Sequence, residues 1–77
     1  MNNFEIESIV GIKEMGSVIK EARKRARLTQ DELAEKIGSK RSYISRIERD
    51  ATSIKLSTLQ RIVEDGLGGK LDINIIV

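Results

Sequence analysis

Apolar residues recur along this chain with two different periods, and the switches between them mark its elements. Residues 4 to 10 begin with strict alternation, apolar at Phe4 and Ile6, which reads as a short strand ended by Gly11. From residue 13 to 26 the period changes. Met15, Val18, Ile19, Ala22 and Ala26 form the stripe of an amphipathic helix, with Lys20, Glu21, Arg23, Lys24 and Arg25 on its other face. Leu33, Ala34 and Ile37 give a short second helix its inner face, and Ile44 and Ile47 give a third, from about Arg41 to Arg49. A fourth is expected to start with Ser57 as its cap and to turn Leu59, Ile62 and Val63 inward. Gly66, Gly68 and Gly69 then break the chain. The tail from Lys70 to Val77 alternates Leu71, Ile73 and Ile75 against Asp72 and Asn74, which is a strand signal.

The second and third helices carry the sharpest local signals. Thr29-Gln-Asp-Glu32 is a capping box, in which Thr29 and Glu32 satisfy each other's free amides. Gly38 stands where a helix end favours a left-handed residue. The second helix is barely two turns long, and the third restarts within three or four residues of Ile37. So tight a turn enforces a steep crossing, the geometry of a helix-turn-helix over Thr29 to Glu48. The small Ala34 permits the close approach.

Composition narrows the possibilities. With 77 residues the chain is read as one domain, 1–77. A core of this size is marginal, and oligomerisation is the natural support, so a homodimer is expected. Cysteine and histidine are both absent, which removes disulfides, thiol catalysis and Cys/His metal sites. No cofactor or metal is expected. Catalysis would rest on carboxylates that lie among Lys and Arg, ionised rather than poised as acids, so the chain is not expected to be an enzyme. The glycines at 66, 68 and 69 do not match a phosphate-binding loop, because a strand and not a helix follows. No apolar run is long enough to span a bilayer and no signal peptide is apparent, so a cytoplasmic, nucleoid-associated protein is expected.

Charge adds a direction. The net charge is +2, but residues 20 to 49 hold ten Lys/Arg against five acids, between acidic flanks. A basic middle is a candidate polyanion footprint. The outer side of the third helix offers Lys40, Arg41, Ser42, Ser45, Arg46 and Arg49. Arg41 and Ser45 stand one turn apart, as do Ser42 and Arg46. Arginine can grip guanine O6 and N7 with two bonds, and serine can meet bases or phosphate. The positive end of the second helix, with Gln30, suits a phosphate. For Arg23, Lys24, Arg25 and Arg27, solubility and flanking phosphate contact are equally compatible with the pattern. Tyr43 is read as a packing residue ahead of a base contact.

The run from Leu28 to Gly38 (LTQDELAEKIG), followed by Tyr43 to Arg49 (YISRIER), resembles the lambda-repressor-like, XRE-type helix-turn-helix regulators over roughly residues 12 to 67. The resemblance implies a mainly α fold of four to five helices that binds double-stranded DNA as a repressor. It implies base reading by Lys40, Arg41, Ser42 and Arg46. It implies phosphate contact by Gln30 and Lys55, beside which Thr29, Ser45 and Arg49 are placed on their donors. Family members often have glycine where Arg27 and Asp50 stand, so those helix ends must adopt a strained or different cap. They often have Ser or Thr where Lys40 stands. Lysine cannot accept a hydrogen bond, so Ser39 is the alternative cap. The compact size and the Gly-Gly-Lys-Leu-x-Ile-x-Ile ending also resemble the HigA and HipB antitoxins. That implies a toxin partner and a terminal β-strand, with Leu71, Ile73, Ile75 and Val77, paired across a dimer. An adaptor that uses the same fold for protein contacts alone is the rival reading.

Overall fold

The computed structural model describes residues 14–77. The expected strand at 4–10 lies outside them. Four α-helices follow in order: α1 (Met15–Arg25), α2 (Gln30–Lys36), α3 (Arg41–Arg49) and α4 (Leu56–Arg61), the last widening into a π-helical turn, Ile62–Gly66. Among the described residues there is no strand, and the tail at 70–77 pairs with none of them. An isolated strand has no partner for its backbone groups, which is why alternation alone does not make one here.

The core is aliphatic. Ile19 of α1, Leu33, Ala34 and Ile37 of the α2 segment, Ile44 and Ile47 of α3, Ala51, Leu59 and Ile62 are buried together. Leu33, Ile44 and Ile62 are completely enclosed. Helix α3 therefore lies between α2 and α1, and the π turn closes over α2. Two glycines set the closeness of this packing. A Cβ on Gly16 would stand 2.6 Å from the carbonyl oxygens of both Ile47 and Glu48, so α1 rests directly on the α3 backbone. A Cβ on Gly66 would meet Leu33 Cδ1 at 2.5 Å.

Each helix end has a distinct solution. Helix α1 closes with Arg27 N–H on the Lys24 carbonyl and Leu28 N–H on the Arg23 carbonyl, the Schellman pattern. That pattern needs a left-handed residue, and Arg27 takes it at φ 59°. Helix α2 ends the same way, with Gly38 N–H on Glu35, Ser39 N–H on Ala34 and Gly38 at φ 68°. Asp50 departs from this: it leaves α3 in extended conformation, φ −159°, and its carboxylate accepts from the Thr52 amide at 2.9 Å. Ser57 does not cap α4. Lys55 holds the cap position and Ser57 lies inside the first turn. An aliphatic anchor, Ile54, sits half-buried just before it and sets where the helix enters.

Candidate nucleic-acid interface

The capping box of α2 forms as expected. The Glu32 amide donates to Thr29 Oγ1 at 3.0 Å, and the Thr29 amide donates to Glu32 Oε1 at 2.8 Å. The Thr29 amide first, and then its hydroxyl, hold the Glu32 carboxyl below its ordinary pKa. The Glu32 carboxylate thus occupies part of the helix end that the sequence offered to a phosphate.

Helix α3 presents the expected face. Lys40, Arg41, Ser42, Arg46 and Arg49 are exposed, and Ser45 is half-buried. Lys40 fills the cap position of α3 through its backbone, and its side chain makes no capping hydrogen bond. Ser39 is not the cap, since α3 begins at Arg41 and Lys40 precedes it at the cap position. Lys55 is exposed ahead of α4, in the loop that follows α3.

What the sequence reading missed lies behind this face. Glu48 is 7% exposed and Arg23 is 9% exposed. They pair bidentately: Arg23 Nε donates to Glu48 Oε2 at 2.6 Å and Arg23 NH2 donates to Oε1 at 3.1 Å. Arg23 NH1 also donates to the Leu28 carbonyl at 2.8 Å. Arg23 is therefore neither a solubility residue nor a flanking phosphate contact, but the tie between α1, the α1–α2 link and α3. The signal was available. Glu48 falls at i+4 from Ile44 on the buried stripe of α3, and Arg23 falls at i+4 from Ile19 on that of α1. Burial pushes the Glu48 carboxyl up. The hydrogen bonds from Arg23 and Gln30 and the charge of Arg23 more than offset this and leave it below its ordinary value.

The network continues outward. Gln30 Nε2 donates to Glu48 Oε1 at 3.0 Å, and Gln30 Oε1 accepts from Arg41 Nε at 3.4 Å. A buried ion pair thereby orients the amide of Gln30, which in turn leans on the side chain at the start of α3. Further along, the Arg46 guanidinium lies over the Tyr43 ring, 5.4 Å from its centroid. Tyr43 itself packs half-buried against the core, as the sequence suggested. Arg61 donates to the Ile37 carbonyl and closes the end of α2 from the opposite side.

A helix-turn-helix family profile matches residues 19–65. The chain belongs to that family. Over 48 residues, 62% of this chain, it is 48% identical to the immunity repressor protein of Bacillus phage phi105, and it spans about a third (33%) of that protein's length. Its fold also matches the restriction-modification controller protein C.Esp1396I, with a TM-score of 0.71 and 34% identity over 77% of this chain and 75% of that one. A variant structure of the same controller superposes with a TM-score of 0.68 and 36% identity over 79% of this chain and 76% of that one. The relatives it matches are named as a repressor and a controller protein, and the part they share with this chain is its helix-turn-helix domain. Among the described residues no helix is long and apolar enough to cross a membrane.

Proposed function

We propose that this protein is a sequence-specific repressor that binds a pseudo-palindromic operator as a homodimer, one α3 entering each major groove about 34 Å apart. The observation that carries this reading is the exposed row Lys40, Arg41, Ser42 and Arg46 on a helix whose other side is locked into the core. Arg41 and Arg46 select bases, and Lys40 and Ser42 assist them. Gln30, Lys55, Ser45, Arg49 and Thr29 hold phosphates and fix the register. Gln30 does so with the one amide proton its internal bonds leave over.

The tail supplies the dimer. Ile73, Ile75 and Val77 are exposed, at 54%, 85% and 115% of reference, whereas Leu71 is half-buried against its own core. Leu71 therefore anchors the tail, and the residues beyond it are offered to the second copy. A toxin protein that covers the same apolar segment would make the protein an antitoxin of the HigA or HipB kind; a toxin-like reading frame beside its gene is the mark of that role.

The test compares two variants on duplexes selected by the wild type from a random-sequence pool. Arg41→Ala costs about 1–3 kcal/mol and relaxes preference at one base position, whereas Lys55→Ala weakens all sequences alike and lowers the salt slope by about one. Equal losses on every duplex from both variants would remove the base-reading role of Arg41. Binding that ignores salt, or fails altogether, would favour the adaptor reading.

A further inference from the structure

Two arginines on the DNA-facing side of α3 stand in different settings. Arg41 leans on Gln30 through a long hydrogen bond of 3.4 Å. Arg46 instead lies over the face of Tyr43, one turn earlier on the same helix, with its guanidinium carbon 5.4 Å from the ring centroid. That distance is inside the range in which a cation is held by the ring quadrupole. Tyr43 is well placed to act as a fixed platform, because it packs half-buried against the core cluster while Arg46 is exposed. Its own rotamer is set by that packing, and the i, i+3 spacing keeps the two side chains on one side of the helix.

Resting on the DNA-binding reading above, we propose that Tyr43 is a positioning residue for Arg46, and through it a determinant of which base Arg46 reads. An exposed arginine loses much side-chain freedom when it grips a base edge. Stacking removes part of that freedom beforehand. It also directs the chemistry. A guanidinium held over the ring leaves its N–H donors free to face outward, as two bonds to guanine O6 and N7 require. Water leaves the groove when DNA docks, and the attraction between ring and cation strengthens as it is desolvated. The stack is therefore tighter in the complex than in the free protein, and specificity gains from a residue that need not touch a base.

The experiment is a double-mutant cycle between Tyr43→Leu and Arg46→Ala, read as affinity for duplexes that the wild type selects from a random-sequence pool. Tyr43→Leu is expected to weaken binding about five- to tenfold and to flatten preference at the base position that Arg46→Ala flattens. In the Arg46→Ala background the same change is expected to do nothing further. Tyr43→Phe keeps the ring and is expected to retain wild-type affinity and preference. A loss from Tyr43→Phe as large as that from Tyr43→Leu would mean that the phenol oxygen contacts DNA, and would overturn the proposal. So would full additivity in the cycle. A measurement on the wild type guards against misfolded variants: in the free protein the Arg46 Hδ and Hε resonances are expected upfield from the Tyr43 ring current, and unshifted resonances would refute the stack. If the wild type selects no duplex at all, the DNA-binding reading fails, while the ring-current result still reports on the stack.

Discussion

Glu48 sits where a lone charge could not survive. Arg23 and Gln30 supply its partners, and removing the carboxylate strands a buried guanidinium. Glu48→Ala is expected to cost roughly 3–5 kcal/mol, a large share of a small domain's stability, as read by denaturant midpoint. The pH response follows from the same pair. Because the folded Glu48 pKa lies below its unfolded value, its contribution is complete above the unfolded value and is lost as pH falls toward the folded one. Glu32, held by Thr29, and Asp50, held by Thr52, are lowered too and act in the same direction. Thermal stability should therefore decline as pH drops below about 4.3, and Glu48→Gln should flatten that decline. A decline identical in the variant would detach Glu48 from acid lability. Arg27 is the opposite case, a residue strained by its position. At φ 59° it does a glycine's task in closing α1. Arg27→Gly should stabilise by about 1 kcal/mol, visible as a higher melting temperature; a lower one would show that the arginine side chain outweighs its backbone strain. The strain was foreshadowed only by the family resemblance, whose members often have glycine at this position.

At the scale of elements, the helices and most of their ends follow from neighbours along the chain. The α2 cap, the Gly38 turn and the apolar part of the α3 stripe rest on residues within four positions of one another, and the sequence showed them; on α1 only Ile19 of the expected stripe is fully buried, Ala26 is exposed, and Arg23, expected on the outer face, is buried. Ser57 was misread because α4 starts earlier, at Leu56 with Lys55 at the cap position, directly after the turn that Ile54 N–H closes on the Ala51 carbonyl. Gly16 was not anticipated either: nothing near it in sequence reveals that the α3 carbonyls lie 2.6 Å from its missing Cβ. Gly16→Ala should push α1 off α3 and cost about 1–3 kcal/mol. Gly69→Ala, whose new Cβ would meet Val63 at an ordinary 3.7 Å, should change stability by no more than about 0.5 kcal/mol. Chemical denaturation of the two variants separates them, and equal effects would remove the close approach as the cause.

For the whole molecule, the recognition surface and the apolar tail are separate assets. In the proposed homodimer one protomer's α3 would engage one half-site, and the spacing between half-sites would belong to the dimer. Ile73→Asp combined with Ile75→Asp should leave the monomer folded, because both side chains are exposed in the protomer. Sedimentation should then report a monomer, and affinity for the full operator should fall toward that for one half-site. A dimer that persists in this variant would move the interface elsewhere. On the DNA-binding reading, the basic middle of the chain would act at this scale as well, as the field that draws a polyanion toward α3.

Local order in this protein is written in short-range periodicity: which stretches are helical, where α2 is capped, that α2 and α3 are joined by a tight left-handed turn, and which side of α3 carries donors. Those features need only the 3.6-residue repeat and the chemistry of caps. Tertiary packing assigned the rest. It turned Arg23 inward and made it the partner of a glutamate 25 positions away, bound Gln30 into the same network, and removed Leu71 from the free face of the tail. Such pairings arise only when segments distant along the chain exclude water from between them, and there the need to satisfy every buried charge selects the partner.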